Sequence, residues 1–108
     1  MPQHPSTTVF RADKFVVPDG ALTVFIEQMQ HIQRMLRTQP GCVRATVLKQ
    51  TGGTGEFNVL TLVEWESDAA VAAAQPTVQQ HFAQEGFDPK TFVQGLGVRG
   101  DLGFYAQA

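Results

Sequence analysis

The stretch FNVLTLVEWESDAAVAAAQPTVQQHF, from Phe57 to Phe82, decides the fold of this chain. Its first part, Phe57 to Trp65, is rich in the β-branched and aromatic residues that suit a strand. A strand with one solvated face alternates apolar and polar residues. The nearly unbroken apolar run here therefore predicts a strand that is covered on both faces.

The second part of the stretch has the features of a helix that folds back over this strand. Ser67 offers a capping hydroxyl, and Asp68 places a negative charge in the first turn, where the helix dipole favours it. The alanine-rich segment from Ala69 to Ala74 forms helices readily and lets a helix approach a sheet closely. One face of the strand is therefore expected to lie beneath this helix, and the other face needs a different cover.

Composition limits the class of protein. The chain has 108 residues, 43% of them hydrophobic and 17% charged, which predicts one ordered domain with residues 1–7 as a flexible tail. So few charges on a small domain favour an oligomer that hides part of its surface. A net charge of −2 and scattered basic residues give no reason to expect nucleic acid as a partner.

The sequence has no recognisable targeting segment or membrane span and no pair of cysteines for a disulfide. The N-terminal residues MPQHPSTT carry no hydrophobic signal core, and no apolar run is long enough to cross a membrane. A lone cysteine, Cys42, cannot form an intramolecular disulfide and makes a zinc site improbable. We expect a cytoplasmic protein with no membrane partner and no metal.

The rest of the chain supplies a complete α+β pattern. The other predicted elements are a strand from Thr8 to Val17, a long helix from Asp19 to Gln39, a strand from Cys42 to Gln50, a short helical turn from Asp88 to Phe92 and a last irregular strand from Val98 to Tyr105. Pro76 either kinks the second helix or begins a new segment, and Gly86 ends it. The glycine-rich link Thr51 to Gly55 joins two strands, so it predicts a hairpin and not a phosphate site.

The resulting order is β-α-β-β-α-β, the ferredoxin-like arrangement. It gives a four-stranded antiparallel sheet with both helices on one face. Packing of two sheets face to face in a homodimer, a dimeric α+β barrel, would cover the other face.

Several short motifs support a family resemblance. The segment Gln39-Pro-Gly-Cys42, the strand end Glu64-Trp65-Glu66-Ser67, the alanine-rich helix and the pair His81-Phe82 resemble the antibiotic biosynthesis monooxygenase domain, over roughly Phe10 to Tyr105. The resemblance implies homodimers that pack sheet against sheet. It also implies a monooxygenase that oxidises a small electron-rich aromatic, such as a quinol or anthrone, without metal, flavin or other cofactor. The alternatives are a non-catalytic small-molecule-binding or stress-associated dimer and, third, a haem-degrading relative.

The chain departs from the family pattern at informative positions. Many members carry a histidine nine residues after the strand-end tryptophan, and Ala74 stands there in this chain. The polyketide-modifying branch uses an asparagine shortly before that tryptophan, where this chain has Thr61 nearby and Asn58 further back. The haem-degrading branch has an asparagine on the first strand and a tryptophan in the second helix, and neither is present here.

Three residues are candidates for catalysis. His81 could act as a general base, oriented by Glu85 one turn further along the helix, although a histidine at the core edge or a surface His–Glu pair explains the spacing too. Asn58 and Thr61 could hold a substrate oxygen, or simply occupy ordinary sheet positions. His31 is expected to face solvent.

Other residues are candidates for substrate binding. Trp65 could form the wall of a pocket or anchor the core. Phe25, Met29 and Phe82 could line a cavity between helices and sheet or belong to the core. Arg11 could balance an enolate or phenolate, or form an ion pair at a dimer interface.

Overall fold

The structure is a computed structural model that describes residues 7–108. The predicted tail therefore lies outside the described residues except for Thr7, whose hydroxyl donates a hydrogen bond of 2.7 Å to the carbonyl of Glu66. The elements are β1 (Val9–Val16), α1 (Leu22–Leu36), β2 (Cys42–Lys49), β3 (Val59–Trp65), α2 (Asp68–Glu85), α3 (Pro89–Gly95) and β4 (Arg99–Tyr105). A short 3-10 turn, Asp19–Ala21, leads into α1.

The predicted ferredoxin-like α+β fold is confirmed. The strands form one antiparallel sheet in the order β2-β3-β1-β4. The glycine-rich link joins β2 to β3 as expected, with the backbone N–H of Gln50 bonded to the carbonyl of Asn58. In the central strands, Asp13 of β1 lies opposite Thr61 of β3 and Leu102 of β4. This register places Asp13 and Thr61 beside the apolar Leu102 on the same face of the sheet.

The second helix continues through Pro76 as one element, so no new segment begins there. Proline removes one bond of the helical ladder, the one to the carbonyl four residues earlier. Both Pro76 and Ala72 are exposed, so water can bind that carbonyl. The predicted ends are confirmed: the Ser67 hydroxyl accepts from the Ala70 N–H at 3.1 Å, and Gly86 takes the left-handed conformation with φ of 65°.

Two apolar clusters fill the space between sheet and helices. The first packs α1 and α3 against the sheet around Phe25, which is fully buried and meets the ring of Phe15 edge-on at 5.0 Å. The second lies where α2 meets the sheet and contains Trp65, Val63 and Ala74. Together the two clusters fix the helices over one face only.

The two faces of β3 differ within a single chain. Side chains that point to the helices are buried, whereas Leu60, Leu62 and Glu64 on the outer face are only half-buried. Neighbouring strands add Leu48 and Tyr105, each 47% exposed. The predicted cover is thus supplied by this chain on the helical face, and the outer face presents an apolar surface.

Candidate functional site

A cavity of about 780 Å³ lies between the helical face of the sheet and the helices. That volume falls within the range of about 300–1,000 Å³ typical of small-molecule sites. Its lining is mostly apolar and comes from β1, β3, β4 and all three helices: Arg11, Asp13, Phe15, Met29, Ile32, Leu36, Thr61, Val63, Trp65, Val71, Ala74, Gln75, Val78, Gln79, Phe82, Pro89, Lys90, Val93, Gln94, Gly100, Leu102 and Phe104.

The second helix, α2, forms one side of the cavity. Near its N-terminal end the helix lies tight against the turn that precedes β2, where a Cβ at Gly41 would collide with the Cβ of Ala70. Near the other end, the ring of Phe82 packs against Phe87 at 5.4 Å, in the loop that leads to α3. The alanine-rich segment approaches the sheet as expected, with Ala74 in the second apolar cluster. One side of the helix, from Val71 to Phe82, also lines the cavity.

A charged pair lies on the cavity side of β1. Nε of Arg11 is 2.6 Å from Oδ1 of Asp13, and the two side chains are 34% and 16% exposed. The guanidinium also lies 4.8 Å from the centre of the Phe104 ring. Within residues 7–108 neither the terminal amino groups of Arg11 nor Oδ2 of Asp13 forms another hydrogen bond. These atoms are the charged groups that the sheet presents to a ligand in the cavity.

The rest of the polar lining is sparse. Thr61 lies next to Asp13 across the β1–β3 pairing and is 7% exposed. Gln75, Gln79 and Lys90 are exposed and belong to the rim. The arrangement suits a flat apolar ligand whose one polar end meets the charged pair.

The sequence-predicted substrate-binding residues are largely brought together here. Arg11, Trp65, Met29 and Phe82 all line the cavity. Phe25 does not, because it is fully buried in the first apolar cluster. The ion pair of Arg11 forms within the chain on the helical face, and not on the outer face where a sheet-to-sheet interface would lie.

The three candidate catalytic residues are not brought together. Thr61 lines the cavity, while Asn58 and His81 do not. The Asn58 amide binds the backbone of Val17: Oδ1 accepts from its N–H at 2.8 Å and Nδ2 donates to its carbonyl at 2.9 Å. Both ends of this amide are thus occupied in joining the end of β1 to the start of β3.

His81 does not receive the expected support from Glu85. The Glu85 carboxylate instead binds Nε2 of His31 on α1, at 2.9 and 3.1 Å. His31 is exposed, as the sequence predicts, but it is half of a bridge between the two helices. His81 is half-buried and has no hydrogen-bond partner within the described chain.

Sequence reasoning missed Asp13, Leu102 and Phe104. Asp13 reads as a polar interruption of a strand, yet it stands two residues from Arg11, so both side chains project from the same face. That spacing was a usable signal. Leu102 and Phe104 are 57% and 51% exposed on the edge strand and form the open side of the cavity.

The donor atoms of the cavity do not fit haem. No histidine, cysteine or tyrosine is among its lining residues in the described part of the chain, and Met29 lacks the histidine that accompanies a methionine as axial ligand. The position after Trp65 where relatives carry a histidine is Ala74, which is 5% exposed and lines the cavity. Across residues 7–108, no group of three or more histidine, cysteine or acidic side chains is placed to hold a metal ion.

Comparison with known families settles the class of protein. The sequence profile of the antibiotic biosynthesis monooxygenase family matches residues 9–86, most of the chain. The protein therefore belongs to the antibiotic biosynthesis monooxygenase family, as the sequence motifs predicted. No curated protein matches the chain at a significant level. No helix in the described residues is long and apolar enough to cross a membrane.

Solved structures share the fold. A conserved Bacteroides thetaiotaomicron protein of unknown function is 17% identical with a TM-score of 0.71, covering 93% of this chain and 97% of its own. SnoaB from Streptomyces nogalater, a cofactor-independent oxygenase, is 22% identical with a TM-score of 0.67 and coverage of 94% and 93%. The Mycobacterium tuberculosis haem degrader MhuD is 21% identical with a TM-score of 0.65 and coverage of 92% and 94%.

Proposed function

We propose that this protein is a monooxygenase that oxidises a small electron-rich aromatic, of the anthrone or quinol type, with dioxygen and without a bound cofactor. The observation that carries the proposal is the cavity of about 780 Å³, apolar on most of its surface, with an arginine on its floor. Membership of the family and the shared fold with a cofactor-independent oxygenase support it.

The reaction needs a substrate that becomes a good electron donor when it loses a proton. The resulting carbanion or phenolate passes one electron to dioxygen, and the substrate radical and superoxide combine to form a carbon–oxygen bond. The peroxide anion is protonated, its oxygen–oxygen bond breaks as the second C–H proton leaves, and water departs. For an anthrone, the methylene group plus dioxygen yields a carbonyl group plus water, so atoms and electrons balance.

The residues of the cavity can support this chemistry in two ways. Arg11 offers free N–H groups to the oxyanion of the ionised substrate, and the Thr61 hydroxyl lies on the neighbouring strand. Donors placed where negative charge develops contribute about 10²–10³-fold each to such reactions. Trp65, Met29 and Phe82 supply apolar walls that stack against an aromatic ligand and exclude water from the radical pair.

Oxygen uptake tests the proposal directly. Purified protein treated with a metal chelator is given a panel of anthrones and dihydroxynaphthalenes, and uptake is compared with each compound's autoxidation. We expect faster uptake with at least one compound, reduced by Trp65→Ala. Addition of haem should leave the rate unchanged. Uptake that needs haem or added metal would contradict the cofactor-independent reaction.

A second candidate function is non-catalytic binding of a small molecule. The observation in its favour is Ala74, which leaves the cavity without an imidazole at the position where many relatives have one. Fluorescence quenching of the single Trp65 by an anthrone, without oxygen uptake under any condition of the panel, would select binding over catalysis.

We also propose that the protein is a homodimer that packs through the outer faces of its sheets. The outer face carries Phe10, Leu60, Leu62 and the half-exposed Leu48, an apolar surface of a kind that is rare on soluble monomers. Light scattering should give twice the mass of one chain, and Leu62→Glu should give monomers. A monomeric native protein would refute this assembly. Cell fractionation tests the accompanying expectation of a cytoplasmic location.

A further inference from the structure

The cavity contains a carboxylate, Asp13, to which the family resemblance assigns no role. A monooxygenase of this kind must first remove a proton from its substrate, and a general base has to lie within hydrogen-bond reach of that proton. Among the cavity-lining residues of the described chain, Asp13 is the only carboxylate and no histidine is present. Lys90 is the other ionisable side chain besides Arg11, and it is exposed at the rim.

We infer that Asp13 is the general base of the proposed oxygenation and that Arg11 is the counter-ion shared between Asp13 and the ionised substrate. The inference rests on the proposed function and adds a residue to it. It also narrows the substrate class to aromatics whose acidic hydroxyl or enolisable carbonyl lies at the end that enters the cavity, against the Arg11–Asp13 pair.

The geometry of the pair makes both roles compatible. The 2.6 Å contact uses only Nε of Arg11 and Oδ1 of Asp13. The second carboxylate oxygen and the terminal amino groups form no hydrogen bond within residues 7–108, so a substrate can meet a proton acceptor and a cation at once. The guanidinium of Arg11 stacks over the ring of Phe104, and this contact holds it in place while its anionic partner changes from Asp13 to the substrate.

Charge balance favours Asp13 over a base outside the cavity. Before proton transfer the site holds Arg11 with a positive charge, Asp13 with a negative charge and a neutral substrate. After transfer Asp13 is neutral and the substrate carries the negative charge, so Arg11 has exchanged one anionic partner for another. No net charge enters the apolar cavity, which avoids the large cost of burying an unpaired ion.

Every proton is accounted for over one turnover. Asp13 takes the first proton from the substrate and returns it to the peroxide anion that forms with dioxygen. It then takes the second C–H proton as the oxygen–oxygen bond breaks and gives that proton to the departing hydroxide, which leaves as water. The carboxylate is regenerated, and dioxygen is the oxidant throughout.

The chain offers a matched control for Asp13. Asp101 is an aspartate of the neighbouring strand β4, and its Oδ2 lies 3.7 Å from Nζ of Lys14 on β1. Substitution of Asp101 by asparagine removes an ion pair on the outer face of the sheet and leaves the cavity lining unchanged, and light scattering of this variant checks that the assembly matches that of native protein. Any general effect of an Asp→Asn change on the sheet will appear in both variants.

Anaerobic absorption spectroscopy separates proton removal from the oxygen step. Anthrone is titrated into native protein and four variants, Asp13→Asn, Arg11→Gln, His81→Ala and Asp101→Asn, without oxygen, and the long-wavelength band of the anthrone anion is recorded. We expect the band with native protein and Asp101→Asn. We expect Asp13→Asn to bind anthrone, as shown by Trp65 quenching, without producing the band. On admission of oxygen, its kcat should be about 10²–10⁴-fold lower than native, the usual contribution of a general base.

The outcomes distinguish this inference from the proposed function. Persistence of the anion band and of turnover in Asp13→Asn would overturn the inference while leaving the oxygenase intact, and loss of both in His81→Ala alone would move the base to His81. An anion band in native protein with no oxygen consumption would support Asp13 and refute the oxygenase. Native protein that binds anthrone without ionising it, or fails to bind it, would overturn the assignment.

Discussion

Asn58 is the residue at which catalytic and structural roles can be separated most sharply. Its amide makes two hydrogen bonds to the backbone of Val17, at 2.8 and 2.9 Å, and it does not line the cavity. We therefore predict that Asn58→Ala unfolds more easily than the native protein and keeps its kcat. The two effects have different physical origins and can be measured on the same preparation.

The size of the stability loss follows from those two bonds. A hydrogen bond contributes about 0.5–1.5 kcal/mol net, and a buried polar group left without a partner costs about 1–3 kcal/mol. Val17 is 3% exposed, so water does not readily replace the lost acceptor of its N–H. Taken together, the free energy of unfolding should fall by about 2–4 kcal/mol. For a chain of this size, that lowers Tm by roughly 10 °C or more.

Urea unfolding at one fixed protein concentration measures this loss, since dimerisation would make the midpoint concentration-dependent. Gln50→Ala is the matched control, because its amide also donates to a backbone carbonyl, that of Gly55 at 2.9 Å, but in an exposed loop. The control should lose less than about 1 kcal/mol. An Asn58→Ala protein with native stability and a kcat lowered by an order of magnitude or more would refute the reasoning and return Asn58 to the catalytic site.

Three further predictions concern packing, capping and the thiol. Gly41→Ala should lower Tm more than Gly53→Ala does. Both glycines have a positive φ, but only a Cβ at Gly41 would collide with Ala70. Equal losses of Tm would contradict this. Ser67→Ala removes the cap of the Ala70 N–H and should cost about 1 kcal/mol by urea unfolding, whereas Ser67→Asp should retain most of the stability. Burial raises the pKa of the Cys42 thiol, so its alkylation rate should rise at higher pH in folded protein than after unfolding, and identical profiles would argue against it.

Element order was predictable because it depends on local signals. The apolar periodicity of α1, the cap at Ser67 and the stop at Gly86 each act over a few residues, and the structure has all three. Pro76 left two outcomes open, and the structure has one continuous helix there and no new segment, with Pro76 and Ala72 both exposed.

The site was less predictable because it depends on contacts between distant parts of the chain. Glu85 lies one turn from His81 in sequence but binds His31, 54 residues away. The spacing of Arg11 and Asp13 is a local signal, but the register that places Asp13 opposite Thr61 across the sheet is fixed by no local pattern. Apolar lining residues such as Trp65 were predictable, since a large aromatic at a strand end is apt to lie at the edge of the core.

The most direct test of the central claim follows the fate of the two oxygen atoms. Native protein is mixed with saturating anthrone and heavy-oxygen-labelled dioxygen in ordinary water, and the product is examined by mass spectrometry at times too short for autoxidation. We predict one labelled oxygen in the product for each dioxygen consumed, with the other atom in water, and a much slower appearance of the label with Asp13→Asn. Label that appears no faster than in protein-free solution, or product oxygen derived from water, would contradict it.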